Sequence, residues 1–138
     1  MKFLFILPRF HTNLIPWIQS LKNNNHKVNV FAIHKGLIED YEIIKPQIFE
    51  LSFISTILIR IVGTGGENFL RGFPKLIFFY KELKKNNADV IIIRDFIRWF
   101  SFISIFFSII LKKNIFIFNH IFFFNKYSFQ RKIIYKLF

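Results

Sequence analysis

Residues 2–33 read KFLFILPRFHTNLIPWIQSLKNNNHKVNVFAI, and the order of patterns within them decides the fold. Residues 3–7 form a short unbroken apolar run, which suits a strand buried on both faces. Pro8 is expected to close it, because proline cannot donate to a central ladder. Thr12 or Asn13 is placed to cap a helix, and Pro16 falls in the first turn, where a missing N–H costs little. Leu14, Trp17, Ile18 and Leu21 recur at helical spacing and make one apolar stripe. Asn23, Asn24 and Asn25 tolerate turn geometry and end the helix. Residues 28–33 are a second strand. Strand, loop, helix, strand is one βαβ unit with a right-handed crossover.

Working outward, the turn into the second strand is Asn25-His26-Lys27-Val28, and the first loop is Pro-Arg-Phe-His-Thr-Asn, with Pro16 two residues on. These features resemble the opening of GT-B glycosyltransferases, in particular the family 4-like N-terminal domain. That family has a Gly-His-x-Val step at the same place; here Asn25 stands for the glycine. The resemblance is concentrated in roughly the first 50 residues and thins beyond them. It implies an α/β, Rossmann-like three-layer domain with a mostly parallel sheet. It also implies an incomplete GT-B N-terminal half, since such enzymes carry a second, donor-holding domain.

The chain has 138 residues, enough for one domain, and no linker or repeat divides it, so 1–138 is read as a single unit. With no cysteine there is neither a disulfide nor a thiolate metal site. The formal net charge is +12. A/T-rich codon usage explains abundant Lys together with Phe, Ile and Asn; docking on an anionic membrane surface is the functional alternative. Nucleic acid is not expected as a partner, because no recognised binding signature is present. No signal peptide is expected, since Pro8-Arg9 interrupts the opening apolar run. The stretch WFSFISIFFSIIL at 99–111 is shorter than the roughly 20 residues that cross a bilayer, and a buried helix is the favoured reading.

Further along, Pro46 argues against a central strand, and extended structure is expected around 48–51. Residues 52–62 read as helix or strand. The glycine-rich 63–66 lacks the Lys-Ser/Thr of a phosphate-binding loop and reads as a plain loop. A helix is expected over 69–87, with Pro74 opening its firm part. Residues 88–94, ADVIIIR, read as a parallel strand. A helix over 96–111, a strand over 114–118 and a basic helix over 127–138 complete the chain.

Ligands of open α/β sheets bind beyond the carboxyl ends of the strands. The first strand delivers Arg9, His11, Thr12 and Asn13, the strand at 89–93 delivers Arg94 and Asp95, and the strand at 115–118 delivers Asn119 and His120. These tips are expected to converge. Two arginines suit an anionic group, and a histidine or aspartate suits a proton acceptor. His120 is the candidate catalytic base, because imidazole titrates near neutrality; the plain alternative is a solvated loop histidine. His26 lies at the wrong end of the sheet and reads as structural, and His34 carries little weight. No pair of histidines has metal-ligand spacing, so neither a metal nor a cofactor is expected.

The resemblance implies the acceptor-side part of an enzyme that transfers a sugar from a nucleotide-sugar donor in cell-surface polysaccharide or glycolipid synthesis. Without the donor domain the chain is expected to be inactive alone, as a truncated gene or as one subunit of a split enzyme. Its acceptor would be lipid-linked or a glycan, and its place cytoplasmic, peripheral at the inner face of the cell membrane. The alternative is a small, non-catalytic membrane-associated protein.

Overall fold

The computed structural model describes residues 1–34, 44–62, 72–96 and 98–118. The elements follow in the order β1 Lys2–Arg9, α1 Ile15–Asn23, β2 Lys27–His34, β3 Gln47–Ile48, α2 Phe53–Val62, α3 Leu76–Asn86, β4 Val90–Arg94, α4 Trp99–Ile110 and β5 Asn114–Phe118. The five strands among the described residues are all parallel, in the order β3-β2-β1-β4-β5. This is the Rossmann-like arrangement that alternating strand and helix patterns imply.

Side chains alternate across β1, and that alternation builds two cores. Leu4 and Ile6 face α3 and α4, where Phe31, Phe49, Phe79, Leu83, Phe100 and Ile105 pack with them. The rings of Phe49 and Phe79 meet edge-on with centroids 5.1 Å apart, and Phe79 lies 5.1 Å from Phe100. Edge-to-face pairs of this kind add to the burial of each ring. Phe5 and Leu7 face the other way, onto Phe10, Leu14 and Ile18 of the α1 side.

Several local expectations need correction. Pro8 does not end the first strand: β1 runs on, and Arg9 still pairs with His34 of β2. Neither Thr12 nor Asn13 caps α1; both sit in a 3-10 turn, Thr12–Leu14, and the residue before α1 is Leu14 with no side-chain cap. Pro16 does occupy the first turn of α1. Pro74 does not open α3. It bridges Leu51 as a strand-like pair, and the helix starts at Leu76. Residues 52–62 resolve to helix, with the Ser52 hydroxyl accepting from the Ser55 N–H at 3.1 Å as a cap. α4 is not enclosed on all sides: Phe100, Ser101, Ser104, Ile105 and Ser108 are buried, while Trp99, Phe106, Ile109 and Ile110 are exposed.

The helix ends explain the residues that follow them. Asn25 adopts φ 61°, and its N–H bonds to Lys22 O while the His26 N–H reaches Leu21 O. This is the left-handed closure that a helix terminus most often gives to glycine, and asparagine is the side chain that tolerates it best. His26 then stacks near Phe3, with ring centroids 5.3 Å apart, at the amino end of the sheet. His26 thus lies at the end of the sheet where the sequence put it.

Candidate functional site: a crevice where two strands part

β1 and β4 are the strands on either side of the point where the chain reverses its direction of travel across the sheet. Their shared ladder ends at the pair Ile6–Ile93. Beyond it β1 stays with β2, through Arg9–His34, and β4 stays with β5, through Arg94–Phe118. The two tips therefore diverge, and a half-open cavity of about 100 Å³ lies between them. Its walls are Pro8, Arg9, His11, Arg94, Asp95 and Arg98. A parallel sheet opens at such a switch point because neighbouring connections leave on opposite faces.

Arg9, His11, Arg94 and Asp95, expected together from the sequence, thus share one cavity although they come from distant segments. Thr12 and Asn13 are exposed and outside this lining. Asn119 and His120 lie outside the described residues, as do the glycine-rich 63–66 and the helix expected at 127–138. Arg98 also lines the cavity and is not among the candidates read from the sequence. The available signal was its position four residues after Arg94, at a strand-to-helix step. It is the residue that precedes α4, in extended backbone.

The β4 tip is held in place from three directions. Asp95 has φ 61°, a left-handed backbone that aspartate tolerates better than most residues. Its N–H donates to Phe118 O at 2.9 Å. The buried Ser101 hydroxyl donates to Arg94 O at 2.9 Å. The Asp95 carboxylate lies 3.9 Å from Arg98 Nε, with both side chains largely shielded. Burial holds the Arg94 guanidinium below its ordinary value, while the neighbouring Asp95 carboxylate acts the other way.

Among the described residues, three arginines and one aspartate line the cavity, an excess of positive charge. The amino end of α4 adds its own partial positive charge at the same place. Planar guanidinium forks fit phosphate and carboxylate oxygens in pairs. At about 100 Å³ the space has room for a phosphoryl or carboxylate group. His11 also lines the cavity and brings an imidazole to it. A second cavity, of about 280 Å³, lies toward the amino end of β2 between Lys22, Asn29, Lys45, Gln47 and Asn86, away from the strand tips.

No group of three or more His, Cys, Asp or Glu side chains among the described residues is placed to hold a metal ion. No helix among them is long and apolar enough to cross a membrane. Comparison with protein-family models, with characterised proteins and with solved structures gave no match.

Proposed function

We propose that the chain is the acceptor-side half of a GT-B type glycosyltransferase. It would act in cell-surface polysaccharide or glycolipid synthesis, with a nucleotide-sugar donor held by a separate domain or subunit. The observation that supports this reading is the arginine-lined crevice at the β1–β4 switch point. In it, Arg9, Arg94 and Arg98 hold an anionic group of a lipid-linked or glycan acceptor, and the acceptor hydroxyl lies toward His11; His120 is the candidate base that the sequence offers. That hydroxyl oxygen forms a bond to the donor sugar's anomeric carbon. The bond from that carbon to the phosphate oxygen breaks, the nucleoside diphosphate leaves, and the hydroxyl proton passes to an imidazole.

The test is calorimetric titration of the purified chain with a sugar phosphate and with the matching neutral sugar. Saturable binding of the phosphate alone is expected, with loss in Arg94→Gln. An equal response to both sugars, or a response to neither, ends the reading. A transfer assay with nucleotide sugar completes it: turnover by this chain alone would refute the need for a separate donor-holding part.

The rival reading, a non-catalytic membrane-associated protein, draws support from the exposed apolar side chains of α2, α3 and α4. It predicts no saturable sugar-phosphate binding.

A further inference from the structure

We infer that α2, together with the first turn of α3, is a docking surface for an anionic lipid bilayer. This stands on observations separate from the crevice and does not depend on sugar transfer.

Phe53, Ile54, Ile57, Leu58 and Ile61 recur along one side of α2 at helical spacing, and all are exposed, Phe53 at 78 % and Ile61 at 75 %. The opposite side is the one that packs. Ser55 is buried, its hydroxyl accepts from the Phe73 N–H at 2.9 Å, and Gly72 lies against Leu51, Ser55 and Ile59. The helix is therefore fixed with its apolar stripe outward. α3 leaves from the same Leu51–Pro74 bridge, and Ile77 in its first turn is 76 % exposed. A patch of this kind on a soluble fold marks a contact surface.

Charge decides between a bilayer and a second copy of the chain. The sequence has 20 Lys and Arg against 8 Asp and Glu, a net +12. Two such chains repel each other, whereas an anionic surface attracts each of them. α2 itself holds one cation, Arg60, and no carboxylate, and ten residues of helix are too short to span. A short helix with an apolar face and no acidic residue lies in the interface, with that face in the headgroup and acyl boundary.

The topology gives the docking a direction. β3 rises parallel to β2 and hands over to α2 beyond its carboxyl end, while α3 runs back down to the start of β4. The amino ends of α2 and α3 thus lie at the same end of the sheet as Arg9 and Arg94.

The experiment is co-sedimentation of the purified full chain with vesicles of phosphatidylcholine alone and of equal parts phosphatidylcholine and phosphatidylserine. Binding to the anionic vesicles is expected, weak binding to the neutral ones, and roughly tenfold weaker partitioning for Phe53→Glu and for Ile61→Glu. Ile110→Glu, which alters an equally apolar exposed position at the far end of α4, is expected to bind like the unmodified chain. Circular dichroism confirms that each variant is folded. Unchanged binding by the α2 variants, an equal loss in Ile110→Glu, or a lipid-free dimer that the α2 substitutions dissociate would each overturn the inference.

Discussion

Ser101 donates its hydroxyl proton to the main-chain oxygen of Arg94, 2.9 Å away, and so ties the first turn of α4 to the tip of β4. Ser101 is fully buried, so the bond works without competition from water. Ser101→Ala leaves that carbonyl with one partner fewer. A loss of about 1 kcal/mol is expected, read as a fall of about 4 °C in melting temperature. Sugar-phosphate binding should weaken as well, because the same carbonyl belongs to a cavity-lining residue. A Ser101→Ala chain with lower stability and unaltered binding would show that the bond holds the fold but not the site.

Lys112 offers a change in the opposite direction. It follows α4 with φ 52°, its N–H bonds to Ile109 O at 2.9 Å, and the Lys113 N–H bonds to Ser108 O at 3.0 Å. This is the same terminal geometry as at Asn25, carried by a residue that suits it poorly. Lys112 is exposed, so nothing else is lost with its side chain. Lys112→Gly should raise stability by about 1 kcal/mol in urea melts. An unchanged midpoint would mean that the turn relaxes out of the left-handed region.

Gly72 is required for space. A methyl group added there would come within 2.5 Å of Leu51 Cδ2 and 2.8 Å of Ser55 Oγ. Leu51 can yield, but Ser55 Oγ is already engaged by the Phe73 N–H. Gly72→Ala should therefore lower stability by about 2 kcal/mol, with the α2 attachment loosening before the sheet melts. Hydrogen exchange on α2 amides checks it: faster exchange there, with β1 and β4 amides unaffected, is the expected pattern.

Much of the frame was legible because periodicity and burial agree. The apolar run of β1 and the β-branched run of β4 have no polar residue that could face water, so each had to be a central parallel strand. The parting of β1 and β4 follows once their order is known, which is why Arg9, His11, Arg94 and Asp95 could be grouped across the length of the chain. Pro8 misled, because a proline ends a ladder on one side only, and β1 keeps its pairing with β2 on the other. Arg98 was missed because a charge at the edge of an apolar run looks like a boundary until the strand-to-helix step folds it back over the tip. The outward face of α2 was hidden for a related reason. Its apolar positions have the spacing of a core stripe, and only the packing of Ser55 on Gly72 and Phe73 reveals that the stripe points away from the sheet.

The ion pair at the rim of the crevice gives a prediction in which two neighbouring substitutions have opposite signs. Asp95 supplies the one carboxylate among the described residues of the lining and lies 3.9 Å from Arg98 Nε. A bound phosphate gains from Arg98 and is repelled by Asp95. Arg98→Gln removes one charge-assisted contact, and inorganic phosphate should bind roughly tenfold more weakly. Asp95→Asn removes the repulsion and frees Arg98 for the ligand, so phosphate should bind more tightly. Asparagine also tolerates φ 61° as well as aspartate does, so the fold is expected to persist. Calorimetry at two salt concentrations separates this from general charge effects: both changes should shrink as ionic strength rises, yet keep opposite signs. If both substitutions weaken phosphate binding, the pair acts as a structural clasp on the β4 tip, and the anion is held elsewhere.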